Sequence, residues 1–253
     1  MSVGWDAITH ITKVDPAEPL PNDIGVLEGT DLIMVGGSDA VTVENSLAAI
    51  EHVAASYPEL PICQEPFHSS QVSTDTMDAV DFLTVPAVYN GDRDHFVGKH
   101  LSFFTQIGEK PAEVAGSNLP LIGEAIQARG RAAVAAVTES ILGEGYVIQN
   151  VDSKAARVSG VETPFTPAEV AGAAIATESF FQFPIFYIEY SGMYGGSTDV
   201  EAAAAYLDDT ILLYGGGIKN REQTHEILAA GADAVVVGDC FHDDPDRFKQ
   251  TIP

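Results

Sequence analysis

Short apolar runs punctuate the chain at residues 7–11, 31–35, 61–64, 82–88, 146–149, 185–190, 211–214 and 234–237. Consecutive rather than alternating apolar positions are the pattern of strands covered on both faces. The segments between several of them carry helix-start chemistry. Thr166-Pro167-Ala168-Glu169 joins a capping box to a proline at the first helical position. Thr198-Asp199-Val200-Glu201 repeats the box, and Asn220 with Gln223 opens a helix that stops near Gly231. Strand, loop, capped helix and strand again dictate parallel strands with right-handed crossovers. Eight such strands predict an α/β chain, a (β/α)8 TIM barrel formed as one domain over residues 1–253. Two units depart from the regular pattern. Only 68–81 separate the third and fourth strands, too short and polar for a full amphipathic helix, so the third helix is expected to be missing or degenerate. Residues 92–145 leave room for two or three helices, including an Ala-rich stretch at 131–137.

Charge changes the picture of the surface. The chain has 37 Asp and Glu against 12 Lys and Arg, a formal net charge of −25. Such a surface repels nucleic acid and anionic lipid headgroups, which argues against both as partners. An acid excess with few lysines points to a salt-rich, halophilic cytoplasm, where a Debye length of about 3 Å at 1 M salt screens the self-repulsion. No apolar run reaches membrane-spanning length, and the opening MSVGWDAITH has no signal-peptide pattern, so a cytoplasmic protein is expected. Cys63 and Cys240 sit in apolar segments outside any metal-ligand spacing and read as buried thiols.

Candidate chemistry collects where the strands end, because the C-terminal rim of a barrel carries the site and the loops after strands seven and eight hold phosphate. The seventh run leads into Tyr214-Gly215-Gly216-Gly217-Ile218 and the eighth into Val237-Gly238-Asp239, both ahead of helices whose N-termini favour anions. The first ends His10-Ile11-Thr12-Lys13-Val14-Asp15-Pro16, and period two sets Lys13 and Asp15 on one face. Lys13 is one of few cations, placed where an anionic substrate must be neutralised. The second ends Val35-Gly36-Gly37-Ser38-Asp39, so that Asp15 and Ser38 supply the hard oxygens that Mg2+ prefers. The sixth ends Tyr187-Ile188-Glu189-Tyr190-Ser191-Gly192, with alternation pointing Tyr187 and Glu189 to one side and Tyr190 to the other.

The segments HITKVDP, IMVGGSD, IFYIEYSGMYGG, LYGGGI and VVVGD, in this order, resemble those of geranylgeranylglyceryl phosphate synthases and their bacterial PcrB relatives. The resemblance spans nearly the whole chain, and YIEYSG is the segment that separates this family from other phosphate-binding barrels. It implies a barrel whose third helix is replaced by an extended segment. It also implies alkylation of the 3-hydroxyl of sn-glycerol 1-phosphate by geranylgeranyl diphosphate, with Mg2+ held by Asp15 and Ser38. Carried over by motif, the glycerol phosphate contacts fall on Lys13, Tyr187, Ile188, Glu189, Tyr190, Ser191, Gly192, Gly217, Gly238 and Asp239. Some relatives have Asn at the position of Asp239, so here its backbone amide is expected to bind. Lys13, Tyr187 and Glu189 are the expected catalytic groups, with Glu189 either taking the hydroxyl proton or facing the allylic cation. The segment from Asp94 to Phe103 aligns with the one whose last position limits prenyl length, which puts the ruler at Phe103. Related proteins are often homodimers, and membrane contact is expected only transiently, for product release. The rival readings are another phosphate-binding barrel enzyme, such as an isomerase or a thiamin phosphate synthase, and a non-catalytic phosphate-sensing subunit.

Overall fold

In the computed structural model the strands pair in parallel in chain order, and the eighth closes against the first. The structure describes residues 4–21, 24–109, 132, 134, 135 and 138–253. The strands are β1 (His10–Val14), β2 (Leu32–Val35), β3 (Ile62–Gln64), β4 (Phe82–Val88), β5 (Ile141–Ile148), β6 (Ile185–Glu189), β7 (Ile211–Gly215) and β8 (Ala234–Val237). The expected (β/α)8 barrel is therefore present.

Two strand boundaries differ from expectation. The first strand was expected over 7–11, but Trp5–Ala7 is a 3-10 turn and the ladder starts at His10. The reason is Asp31, whose carboxylate accepts the amides of Thr9 and His10 at 2.9 and 3.0 Å and so ends the strand at its base. The same device recurs at Asp81, which accepts the Ile62 amide, and at Asp233, which accepts the Leu212 amide. In each case the aspartate preceding one strand terminates its sequence-preceding neighbour, satisfying amides that would otherwise be orphaned. β5 starts at Ile141 instead of 146, because its early residues pair with β4 from Leu83 onward. Gly143 and Gly145 break the apolar run there. A Cβ on Gly143 would lie 2.4 Å from the Phe183 ring, so the strand passes that ring only as glycine.

Period two divides the core into two shells. Ile11, Met34, Cys63, Tyr146, Tyr187, Leu213 and Val236 face the barrel interior. Val14, Ile33, Val35, Val147, Phe186, Ile188, Leu212 and Val237 face the surrounding helices. Those helices are α1 (Val43–Ser56), α2 (Thr74–Asp78), α3 (Lys99–Glu109), α4 (Lys154–Ser159), α5 (Pro167–Ile175), α6 (Thr198–Ala204), α7 (Arg221–Ala229), α8 (Asp239–Asp243) and α9 (Pro245–Phe248). Thr166 caps α5 in a full capping box with Glu169, and Asn220 caps α7 through the Gln223 amide, as expected. The box expected at Thr198 does not form: Ser197 is the cap, without a side-chain bond, and the buried Asp199 is used elsewhere. The degenerate third unit is real, since α2 has only five residues, preceded by the 3-10 turn Ser69–Gln71. After β4, a π-turn at Asp94–Gly98 runs into α3. The Ala-rich stretch at 131–137 lies largely outside the described residues. Both cysteines are free and buried. Among the described residues no helix is long and apolar enough to cross a membrane.

Candidate active site

The C-terminal strand ends surround a cavity of about 390 Å³. Lys13, Tyr146, Tyr187 and Glu189 reach it because all four share the inward register. The Lys13 ammonium donates to Glu65 Oε2 at 2.6 Å and lies 5.6 Å from the centre of the Tyr187 ring. Burial alone would lower its pKa; the carboxylates of Glu65 and Glu189 outweigh that and hold it well above the ordinary lysine value. Lys13 is thus a permanent cation, with two N–H donors left beyond the one given to Glu65.

Glu189 is buried. It accepts the Tyr146 hydroxyl at 2.9 Å and the Ser191 amide at 2.5 Å, and the Tyr187 hydroxyl also bonds to it. Burial pushes its carboxyl above the usual range, and Lys13 and the tyrosine hydroxyls offset this only in part. A carboxylate tuned upward in this way is suited to take a proton near neutral pH. Burial and Glu189 push both tyrosines up as well, so they stay protonated and act as donors.

The glycine-rich loop after β7 has two physical reasons. A Cβ on Gly215 would lie 2.0 Å from the Tyr187 hydroxyl, so this glycine seats that ring. Gly217 has φ 60°, and a Cβ there would lie 2.3 Å from the Tyr194 amide, because the loop after β6 crosses it closely. The Gly195 amide donates to the Tyr214 hydroxyl at 2.8 Å and pins that crossing. What remains is bare backbone along the cavity at Gly216 and Gly217, next to Gly238 and Asp239 at the end of the adjacent strand. Asp239 is the first residue of α8, and first-turn amides have no acceptor within their helix.

At the end of β1, Asp15 is held from two sides. Its carboxylate accepts the Ala17 amide at 2.9 Å, and its own amide donates to His242 Nε2 at 3.0 Å. That bond places the ring proton on Nδ1, which donates to the Pro19 carbonyl at 3.1 Å. A Cβ on Gly37 would lie 2.6 Å from Asp15 Oδ1, so the carboxylate packs onto the turn that carries Ser38. Asp15 and Ser38 both line the cavity, and a carboxylate and a hydroxyl open to it are oxygens of the kind Mg2+ takes, one or two from protein with water and phosphate filling its shell.

Of the residues singled out from the sequence, Lys13, Asp15, Ser38, Tyr187, Glu189, Ser191, Gly217, Gly238 and Asp239 line this single cavity. Two do not bring their side chains to it. Ile188 points into the strand–helix core, and Tyr190 lies outside the barrel, 5.7 Å from Tyr214, with its hydroxyl donating to Asp199 at 2.6 Å. Turning 187 and 189 inward forces 188 and 190 outward. Gly192, at φ 80°, lies in the turn just beyond the lining residues. Phe103 falls on α3, and its side chain lies outside the described residues.

Sequence reasoning missed Glu65, Glu144, Tyr146, Lys154, Lys219 and His242. Among the described residues Lys154 and Lys219 join Lys13 in lining the cavity, from a chain with only 12 Lys and Arg. Scarcity of cations was the signal for both: Lys219 follows the glycine loop directly and Lys154 follows β5.

Fold and site together define a (β/α)8-barrel enzyme whose cavity joins a buried cation, bare glycine backbone and a buried carboxylate of raised pKa. Over residues 3–253 the sequence matches the model of the PcrB family, and the chain belongs to that family. It is 35% identical to the geranylgeranylglyceryl phosphate synthase of Methanoregula boonei, over 94% of this chain and 93% of that one. It is 32% identical to the heptaprenylglyceryl phosphate synthase of Listeria monocytogenes, over 96% and 95%. The crystal structure of (S)-3-O-geranylgeranylglyceryl phosphate synthase from Thermoplasma acidophilum, in complex with sn-glycerol-1-phosphate, shares the fold. Its TM-score is 0.71 at 22% identity, covering 97% of this chain and 91% of that one.

Proposed function

We propose that this chain transfers a geranylgeranyl group from its diphosphate to the 3-hydroxyl of sn-glycerol 1-phosphate, the first ether bond of archaeal membrane lipid. The observation that carries the reading is one cavity holding a permanent cation, a bare-backbone phosphate rim and a buried carboxylate of raised pKa. Relatives whose names specify prenyl transfer to glycerol phosphate support it. A phosphate-sensing subunit leaves the three-donor arrangement on Glu189 without a purpose.

In this reading the phosphate lies against the 216–217 backbone and the amides at Gly238 and Asp239, with Lys219 at the mouth. Lys13 reaches the glycerol phosphate with the donors that Glu65 leaves free. The 3-hydroxyl donates to Glu189. As its oxygen attacks C1 of the prenyl group, the proton passes to Glu189 and the C1–O bond breaks with its electron pair on diphosphate. Tyr146 and Tyr187 keep Glu189 oriented, and the tyrosine faces line the side on which allylic positive charge grows. Asp15 and Ser38 would hold Mg2+, which when bound neutralises charge on the leaving diphosphate. Incubation with radiolabelled sn-glycerol 1-phosphate, geranylgeranyl diphosphate and Mg2+ in high salt should yield an organic-extractable product, lost with chelator. Absence of that product under all conditions would sink the reading.

Prenyl length is proposed to be set by Phe103. Phe103→Ala should raise activity with thirty-five-carbon relative to twenty-carbon diphosphate. If the ring is instead ordinary core, the variant loses roughly 3–5 kcal/mol of stability and the activity ratio stays put.

A halophilic, cytoplasmic setting and a homodimer are proposed on the acid excess and the family resemblance. About −25 charges repel over a Debye length of roughly 30 Å at 0.01 M salt. The melting temperature should therefore be lower in dilute buffer than in multimolar KCl, and equal values would remove the halophilic reading.

A further inference from the structure

Glu144 lies on β5 inside the barrel, one inward position below Tyr146. It is fully buried, and neither of its carboxyl oxygens has a hydrogen-bond partner among the described residues. The groups that act on it come from every side of the interior. They are Lys13 from β1, Cys63 from β3, Glu65 just beyond it, and Tyr187 and Glu189 from β6, with Tyr146 on its own strand. On β4 the residue in register with Glu144 is Pro86, and the buried hydroxyl of Thr84, two residues earlier on that strand, also lacks a partner among the described residues.

Charge counting decides the state of this group. The single ammonium of Lys13 already donates to Glu65 and is shared electrostatically with Glu189. An ionised Glu144 would be a third carboxylate on one cation, with no donor on either oxygen, and an unpaired buried charge takes up a proton instead. A protonated Glu144 has one O–H to give, and Glu65 Oε1 is a buried acceptor without a donor in the same interior. One O–H, given directly or through a buried water, would partner one of the two Glu144 oxygens and Glu65 Oε1.

We propose that Glu144 is a protonated positioning group that sets the charge beneath the phosphate site, leaving Lys13 to face the substrate phosphate. It rests on the reading of this cavity as a glycerol phosphate site. Burial and Glu65 hold its carboxyl well above the usual range, against the opposing pull of Lys13. Below that raised value the group is neutral; as pH rises through it, the new carboxylate competes for Lys13 and repels the incoming dianion. Affinity for glycerol phosphate therefore falls on the alkaline side. Lys99 on α3, which burial lowers to about 8, also titrates in that direction and serves as the control.

The test has two parts, both on the full chain. Infrared difference spectra without substrate should show a buried carboxylic acid band at neutral pH in the wild type, missing in Glu144→Gln. Calorimetric titration with sn-glycerol 1-phosphate should show wild-type affinity dropping at least tenfold, about 1.4 kcal/mol, from neutral to alkaline pH. The decline should vanish in Glu144→Gln and persist in Lys99→Gln. Absence of the acid band, or the same decline in Glu144→Gln as in the wild type, overturns the proposal. Should Glu144→Gln fail to fold, the wild-type acid band must disappear over the pH range in which affinity is lost; a band persisting through that loss also overturns it. A wild type that shows the band yet binds no glycerol phosphate at any pH would instead refute the functional reading and leave the protonation of Glu144 standing.

Discussion

Glu189→Gln is expected to lower turnover by about 10²- to 10⁴-fold, the usual contribution of a positioned general base. The amide keeps the size of the side chain but cannot take the hydroxyl proton. It must also turn an NH2 group toward one of the donors that the carboxylate now accepts, Tyr146 or the Ser191 amide. The pH dependence separates chemistry from packing. In the wild type kcat/KM should fall as pH drops through the Glu189 pKa, because the base must be ionised. Since burial raises that pKa, the fall begins above the ordinary glutamate range. A solvent deuterium isotope effect on the single-turnover rate is expected from proton transfer to Glu189. An isotope effect that persists unchanged in Glu189→Gln would assign the proton to another acceptor. Wild-type turnover in a folded Glu189→Gln variant would take this residue out of the chemistry.

Lys13→Met is the second change with a large effect, and it acts twice. Binding of glycerol phosphate should weaken roughly 10- to 100-fold, the loss of one charge-assisted hydrogen bond. Stability should also fall, by on the order of 3 kcal/mol, because Glu65 is left as a buried carboxylate without its cation. The two effects come apart in the double variant. Adding Glu65→Gln to Lys13→Met removes the orphaned charge, so most of the lost stability should return while the binding defect stays. Denaturant melts and calorimetric titration of the single and double variants read the two quantities independently. Recovery of binding together with stability would mean that Lys13 serves the fold rather than the phosphate.

Much of this site was legible before any fold was known, and the reason is local. Lys13, Asp15, Tyr187 and Glu189 sit at the ends of short apolar runs, and a period of two sets which neighbours share a face without reference to anything distant. The same rule places Tyr190 outside, where Asp199 holds its hydroxyl, although motif transfer put it in the binding set. Glu144 escaped notice for an equally local reason. Gly143 and Gly145 flank it, so the fifth strand read as starting at Tyr146, and a glutamate before a strand looks like a surface residue.

The chain's own pattern thus determines the eight strands, their parallel order, the glycine loops and the inward register that aims Tyr187 and Glu189 at one rim. Only the closed barrel decides what those groups become. Lys13 meets Glu65 across 52 positions and Tyr146 meets Glu189 across 43, contacts that no spacing along the chain encodes. They exist because curvature of the sheet converges eight strand ends on one axis. The raised pKa of Glu189 and of Glu144 is a product of that convergence: a carboxylate's pKa is set by the water removed around it and by the charges brought close, and both are properties of the folded interior.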